Sequence, residues 1–334
     1  AWLNQSESTE QLCILLNDKE APVRDIAFSA LLYISQSRLD VAAYGLATNH
    51  QDIHDRSLKT LLDSFNSDNT QQTTEKPSIV SKLRGLFGSN ETAKRKPTKR
   101  SQTQALELLT KALNDPFEQI RQEAFKATLN RKLGGDDQAT LQLLLNSHRE
   151  SIHLGVLNEL KSKSEVLPAL DWVQPLLYSL LNNAHKAVRQ SAFDFIMSRK
   201  KRFDRQEALA QAVTTPYLDI RETAFQYLTK NPSKAHQGHL QVMASDEHES
   251  LRISSLQALI TAKNEDAVLG SLSSEYDDIK VNAAVALASW GSSQAYQPLV
   301  DFLQTPKPTE KALIEQWQMT IITALQGVSY LGDS

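Results

Sequence analysis

The sequence predicts an all-helical fold in which two-helix units stack into a right-handed α-solenoid. One short motif recurs along most of the chain, and the apolar residues around it follow helical spacing. Glycine is scarce, with 11 residues in 334, about half the usual ~7%. Sandwiches and barrels need more tight turns than so little glycine supplies. Apolar residues make up 40% of the chain, enough to bury a core.

The recurring motif is a Val, Ile or Leu followed by a basic residue, with Ala and Phe three and four positions after the basic one. The copies follow one another at about 28–38 residues, the length typical of helical repeats, except for one interval of 67 residues. The strong copies place the basic residue at Arg24, Arg121, Arg189 and Arg221, the weaker ones at His54, His153, Arg252 and Lys280, and a ninth, degenerate copy has Gln318.

A second column of residues supports this alignment. Six positions before each basic residue the chain carries a short polar residue of the kind that caps helices or completes turns. Each repeat is therefore expected to be a helix, a short turn and a second helix that carries the basic residue in its first turn. The column consists of Asp18, Thr48, Asp115, Ser147, Asn183, Thr215, Asp246 and Ser274.

The spacing of Asp and Arg, with Val or Ile before the Arg and Ala three after it, resembles the HEAT repeat of the armadillo/HEAT-like superfamily. The resemblance implies about nine two-helix repeats: two in residues 1–65, a basic insertion at 66–100, and seven more in 101–334 that continue the same array. It also implies a polar ladder between adjacent repeats. Where the turn residue is Thr, Ser or Asn, the ladder is expected to be hydrogen-bonded but not fully charged. The implied ladder residues are the acids Asp18, Asp115 and Asp246 and the bases Arg24, Arg121, Arg189, Arg221 and Arg252.

The insertion differs in composition from the rest of the chain. Residues 66–75 are polar and low in complexity, so disorder is expected there. Residues 76–100 contain eight Lys or Arg and one Glu, a net charge of +7, which leaves −10 for the remainder of a chain of net charge −3. Residues 79–87 form a short basic amphipathic stretch, for which a solvated loop is favoured over a docking or membrane-surface helix. Weak contact with nucleic acid or an acidic partner is expected from Lys94, Arg95, Lys96, Lys99 and Arg100.

No motif for catalysis, cofactor binding or metal binding emerges. The sequence has no glycine-rich phosphate loop and no Gly-x-Ser-x-Gly. His236 and His239 share a helical spacing but lack further ligands. Cys13 lies inside an apolar stripe, where thiols are mostly inert. We therefore expect a non-enzymatic protein without metal or cofactor, and the absence of a signal-peptide pattern favours the cytoplasm.

Two classes of function remain. The favoured one is a scaffold or adaptor that binds a protein partner along the solenoid. The other is a nucleic-acid-associated protein, such as a DNA glycosylase or a subunit of a DNA-maintenance machine, but the expected concave surface is not cationic as phosphate binding would need. A solenoid that holds a pigment has no positive support. On that surface Ile253, Val281 and Val285 are expected to form an exposed apolar patch for the partner.

Overall fold

The computed structural model describes residues 5–69, 99–133, 135–162, 172–199 and 203–332. These residues form 18 α-helices with three short 3₁₀ turns, and they contain no β-strand. The prediction of an all-helical protein is confirmed. The helices belong to two compact units, Ala1–Ser162 and Lys163–Ser334, called unit 1 and unit 2 below.

Unit 1 consists of four consecutive helix pairs. In each pair a short turn joins the first helix to the second. The pairs are α1 (Gln5–Leu15) with α2 (Ala21–Ile34), α3 (Arg38–Gly45) with α4 (Gln51–Asn69), α5 (Lys99–Leu113) with α6 (Glu118–Arg131), and α7 (Asp137–Leu145) with α8 (Glu150–Ser162).

Unit 2 consists of five further pairs of the same kind, some preceded by a 3₁₀ turn. The pairs are α9 (Val173–Leu180) with α10 (Lys186–Ser198), α11 (Arg205–Thr214) with α12 (Leu218–Lys230), α13 (Gln237–Met243) with α14 (Glu249–Thr261), α15 (Glu265–Gly270) with α16 (Asp277–Ser289), and α17 (Tyr296–Leu303) with α18 (Lys311–Gly332).

The second helices of successive pairs contact one another within each unit. In unit 1 these contacts join α2 to α4, α4 to α6, and α6 to α8. In unit 2 they join α10 to α12, α12 to α14, α14 to α16, and α16 to α18. Within each unit, the two helices of a pair pack on each other and on the neighbouring pair, because no single pair has enough apolar surface for its own core.

The small residues of the motif allow this close packing. Ala27 and Phe28 of α2 are almost completely buried in a cluster with Leu16, Leu31 and Ile53. The motif alanines Ala124, Ala192 and Ala224 are fully buried as well. A larger side chain at these positions would push neighbouring helices apart.

The short polar column shapes the turn inside each pair. In seven of the eight turns its side chain accepts a hydrogen bond from the backbone N–H two residues later, and Thr48 instead donates to the carbonyl of Gly45. The bond fixes the turn and leads the chain into the second helix. The seven acceptors are Asp18, Asp115, Ser147, Asn183, Thr215, Asp246 and Ser274.

The expected insertion lies between α4 and α5. Helix α4 continues to Asn69 and α5 begins at Lys99, so residues 66–69 and 99–100 of the 66–100 stretch are helical. The rest of it, including the 79–87 stretch, lies outside the described residues. Both α3 and α4 contact α5, and α4 also contacts α6. The first two pairs therefore pack on the third.

Candidate functional site

The motif's basic residues lie at the inner edge of the turns, where most of their side chains are buried. Arg24, Arg189 and Arg221 are 5–8% exposed, and His54 only 1%. A charge removed from water this far needs compensating hydrogen bonds and an opposite charge. The structure supplies both, from two successive turns.

The first contribution comes from the residue's own turn. Seven of the eight basic residues reach a backbone carbonyl five or six positions earlier, which satisfies acceptors that the end of the first helix leaves open. Typical distances are 2.7 Å from Arg189 to the Asn183 carbonyl and 2.9 Å from Arg221 to that of Thr215. The other five are Arg24, His54, Arg121, His153 and Arg252. Lys280 differs, because its ammonium pairs with Asp277 in the same helix.

The second contribution is an acid from the next turn. His54 lies 2.6 Å from Asp115, and Arg221 lies 2.7 Å from Asp246. In both pairs the acid belongs to the short polar column, as the resemblance implied. Asp18 occupies the same column in the first pair of the chain, where its carboxylate accepts from the backbone of Glu20.

Three further ion pairs use acids that the sequence argument missed. Arg24 pairs with Asp52 at 2.9 Å, Arg189 with Asp219 at 2.7 Å, and Arg252 with Asp278 at 3.1 Å. These acids stand two positions before the next basic residue, in the first turn of the second helix. At the turns of Thr48, Thr215 and Ser274, where the ladder was not expected to be fully charged, these acids complete an ion pair.

The missed acids follow a pattern that is visible in the sequence. Where the column six positions before the basic residue is Asp, the column two positions before it is Pro, Gln or Ser. Where the later column is Asp, the earlier one is Thr or Ser. Both positions lie beside the basic residue of the preceding turn, so a carboxylate at either position is enough to pair with it. Comparing the two columns would have identified all three acids.

The next turn also contributes an aromatic ring in several places. The Arg189 guanidinium lies 3.8 Å from the centre of the Tyr217 ring, and that of Arg252 lies 4.1 Å from Tyr276. Such stacking favours a cation held against an apolar wall. The Phe117 ring meets His54 edge-on at 5.1 Å.

His54 is a ladder residue whose charge depends on pH. Burial is the largest influence and lowers its pKa. The hydrogen bonds to Asp115 and to the Thr48 carbonyl, with the Asp115 charge, outweigh burial and the smaller opposing effect of Lys111. The net pKa of His54 is therefore raised above its ordinary value.

The ladder is a structural arrangement and offers no chemistry toward a substrate. Its cations contact carbonyls, carboxylates and rings of the chain itself. Among the described residues, no three His, Cys, Asp or Glu side chains are grouped to hold a metal. Burial, followed by the charge of Glu10, raises the pKa of the Cys13 thiol, which disfavours the reactive thiolate. His239 contacts Gln206, and His236 contacts the Asn231 carbonyl.

The apolar patch expected for a partner is not an exposed surface. Val281 is 2% exposed. A Cβ at Gly327 of α18 would lie 3.1 Å from the Val285 side chain, so α18 covers this part of α16. Of the three residues only Ile253 is exposed, at 39%. The expected exposure was wrong, because α18 packs on the side of α16 where solvent was expected.

A different apolar row is exposed on α18. Met319, Ile322 and Leu325 are 63%, 59% and 55% exposed, and their spacing of three residues puts them on one side of the helix. Trp317 faces the other way and donates its indole N–H to the Thr305 carbonyl. This row was not predicted from the sequence, because its residues follow the degenerate ninth motif copy at Gln318, where buried apolar residues were expected.

The basic residues of the insertion lie only partly within the described residues. Lys94, Arg95 and Lys96 lie outside the described residues, and Lys99 and Arg100 form the start of α5. Within the described part of the chain, no helix combines the length and apolarity that crossing a membrane requires.

Comparisons with known proteins identify no family. No protein-family profile matches the sequence, and no curated protein does. Among solved structures, the X-ray structure of YibA from E. coli, a structural genomics target, is 16% identical and aligns over 99% of this chain and 96% of its own, with a TM-score of 0.28. Two engineered proteins are 14% and 16% identical, with TM-scores of 0.18 and 0.13. They align over 98% and 96% of this chain, and over 81% and 97% of their own. Superpositions this poor support no conclusion about fold or function.

Proposed function

We propose that the chain is an α-solenoid of about nine two-helix HEAT-like repeats, four in unit 1 and five in unit 2, and that it acts as a non-enzymatic protein-interaction scaffold. The proposal of repeats is supported by the pairing of the helices and by the row of second helices in each unit. The ladder supports it too, since seven of the eight basic residues take a carbonyl from their own turn and five pair with an acid from the next. Stacked repeats of this kind present long surfaces suited to proteins.

The observation that carries partner binding is the exposed row on α18. Monomeric proteins seldom leave several large apolar side chains side by side in water, and such patches mark interfaces. Met319, Ile322 and Leu325 are each more than half exposed. Burying them would remove apolar surface from water at roughly 25 cal/mol per Å². A protein partner that packs on α18 would cover these three side chains.

The test replaces the row without touching the core. The triple variant Met319→Ser, Ile322→Ser, Leu325→Ser is compared with the natural chain in affinity capture followed by crosslinking and mass spectrometry. A matched control, Ile26→Ser with Tyr33→Ser on α2, removes apolar side chains that are 68% and 91% exposed. Circular dichroism checks that all three proteins fold.

The natural chain and the α2 control are expected to crosslink the same protein through α18, and the triple variant is expected to lose it. Undiminished capture by a folded triple variant would refute binding through this row. Recovery of nucleic acid in place of protein would favour the other class of function.

A further inference from the structure

The buried pair of His54 and Asp115 differs chemically from the arginine ion pairs of the ladder. Its cation is an imidazole, whereas Arg24, Arg189 and Arg221 hold the same place in other pairs. Both side chains are 2% exposed. Arginine keeps its charge at every pH a protein meets, but imidazole loses its charge near neutrality.

Both ring nitrogens of His54 face acceptors. Nδ1 lies 2.6 Å from the Asp115 carboxylate, and Nε2 lies 2.8 Å from the Thr48 carbonyl. The Thr48 carbonyl has no proton to give, so Nε2 must carry one. The second proton lies in the short bond between Nδ1 and Asp115. The Phe117 N–H also donates to Asp115 and favours its ionised form, so the proton belongs to Nδ1, and both hydrogen bonds exist only while the ring carries two protons.

Removing one proton breaks this arrangement. A neutral imidazole beside an ionised carboxylate has one N–H for two acceptors, so either Asp115 or the Thr48 carbonyl loses its donor. A buried acceptor left unpaired is costly. Asp115 keeps a bond from the Phe117 N–H at 2.9 Å, which favours the ionised carboxylate but cannot replace the lost partner.

The pair joins two parts of unit 1 that are far apart in sequence. His54 belongs to α4, and Asp115 belongs to the turn between α5 and α6, 61 residues later. The contact therefore ties the first two helix pairs to the third. The other polar ties described at this junction join Gln51 to Gln119, Asp40 to Gln104 and Arg131 to the Leu62 carbonyl. None of them involves an imidazole.

We propose that the His54–Asp115 pair is a pH-sensitive latch, which holds helices α1–α4 against α5–α6 while it carries two protons and loosens that junction when it loses one.

The charges around the ring act on its protonation in opposite directions. From α5, Lys111 opposes protonation of the ring, and Asp115 in the following turn favours it. From α4, the Asp55 carboxylate interacts with the charges of His54 and Asp115 as well as with Asp52 and with Glu123 of α6. The charged groups on the other neighbouring helices have partners of their own. From α2, Arg24 pairs with Asp52 and Asp25 pairs with Arg56; from α3, Asp40 accepts from Gln104; and from α6, Arg121 donates to the Asp115 carbonyl.

The direction of the pH effect follows because His54 binds its proton more tightly in the folded chain than in the unfolded chain. The pKa of His54 is raised on folding, so the latch is fully closed below the ordinary histidine pKa of about 6.5. Its contribution is lost as pH rises through the higher folded pKa. Between the unfolded and the folded pKa of His54, the equilibrium constant for opening of this junction rises by up to about tenfold for each pH unit.

Two measurements on the full-length chain test the latch. Nitrogen-15 NMR of labelled histidine reports whether both nitrogens of His54 are protonated at pH 6, with the resonances assigned by their loss in His54→Arg. Hydrogen exchange followed by mass spectrometry, corrected for the intrinsic pH dependence, compares the 51–69 and 102–121 peptides at pH 6.0 and pH 8.5.

The natural chain is expected to show two protonated nitrogens at pH 6 and a several-fold loss of protection in both peptides at pH 8.5. His54→Arg, which restores the residue used in other pairs, is expected to keep its protection at both pH values. The matched control is His153→Arg. His153 holds the same motif position, with Nε2 on the Ser147 carbonyl at 2.8 Å, and its replacement should leave the pH effect at 51–69 unchanged.

Asp115→Asn provides a variant that does not depend on fitting arginine into the site. It removes the carboxylate and is expected to lower the titration midpoint of His54. A neutral His54 at pH 6, protection that does not change with pH in the natural chain, or an equal pH effect in a folded His54→Arg would each overturn the latch.

Discussion

At the scale of single residues, the ladder shows how a buried cation is made tolerable. Arg189 donates to the carbonyls of Asn183 and Ala184, pairs with Asp219, and stacks on Tyr217. These partners come from two successive turns, so the guanidinium joins one helix pair to the next. Its removal would leave carbonyls and a carboxylate without their donor.

We expect Arg189→Ala to lower the free energy of unfolding by about 1–3 kcal/mol. Chemical denaturation of the full chain measures the loss. Lys186→Ala on the same helix is the control, because Lys186 is exposed and should change stability by less than about 0.5 kcal/mol. Equal stability of the natural chain and Arg189→Ala would show that the Arg189 contacts contribute nothing.

The alternation of the two acid columns gives a second prediction. Asp219→Asn removes the charge that faces Arg189, and we expect a loss of about 1–3 kcal/mol. Adding Thr215→Asp places an acid in the earlier column, where Asp115 and Asp246 serve other pairs. The double variant should recover most of the stability, as a double-mutant cycle in urea would show. No recovery would mean that the two columns are not interchangeable.

At the scale of helices, the distance between neighbours depends on a few small residues. A Cβ added to Gly45 in α3 would lie 1.8 Å from Oγ of Ser57 in α4 and 3.0 Å from the Phe28 ring. Ser57 Oγ also donates to the Ile53 carbonyl, so moving it breaks a buried bond. Glycine is required here by close helix packing.

Gly45→Ala is therefore expected to destabilise unit 1 by about 1–3 kcal/mol, although alanine is the better helix former. Thermal unfolding of the full chain measures it. Gly238→Ala is the matched control, since Gly238 is also helical and a Cβ there meets nothing within 4 Å. That variant should be neutral or slightly stabilising. Destabilisation of both variants to the same extent would rule out packing as the cause.

At the scale of the whole molecule, the long interval in the motif does not separate independent domains. Helices α3 and α4 precede the interval, and α5 and α6 follow it, yet they pack together within unit 1. Two helix pairs alone would bury too little apolar surface, because about three repeats are needed. The first two helix pairs must therefore complete their core by packing on the helices that follow the interval.

Limited trypsin digestion tests this arrangement. Residues 76–100 contain eight Lys or Arg, so the first cuts are expected there. The two products should elute together from a sizing column under native conditions, because the α4–α5 and α4–α6 contacts remain. Urea should separate the two products, and this separation serves as the control that the chain has been cut. Separation without denaturant would show that the first two pairs fold independently.

The charge distribution of the chain predicts weak binding to nucleic acid. Binding to duplex DNA is expected to fall steeply with salt and to disappear when Lys94, Arg95, Lys96, Lys99 and Arg100 are replaced by Gln. Fluorescence anisotropy at two salt concentrations measures both effects. Charge-preserving Arg→Lys and Lys→Arg exchanges at the same positions are the control. Tight binding that survives neutralisation would contradict the scaffold proposal.

The sequence by itself determined the helical class, the pairing of the helices and the turns, because these depend on local spacing. Apolar periodicity, a polar residue at each turn and a basic residue six positions later are all set within one helix pair. Tertiary structure decided what each helix pair contacts. Asp52, Asp219 and Asp278 became ion-pair partners because the next turn places them beside the preceding cation. Val281 became buried and Met319 exposed because α18 packs on α16 with one side and leaves the other in water, a choice of contact that local spacing does not encode.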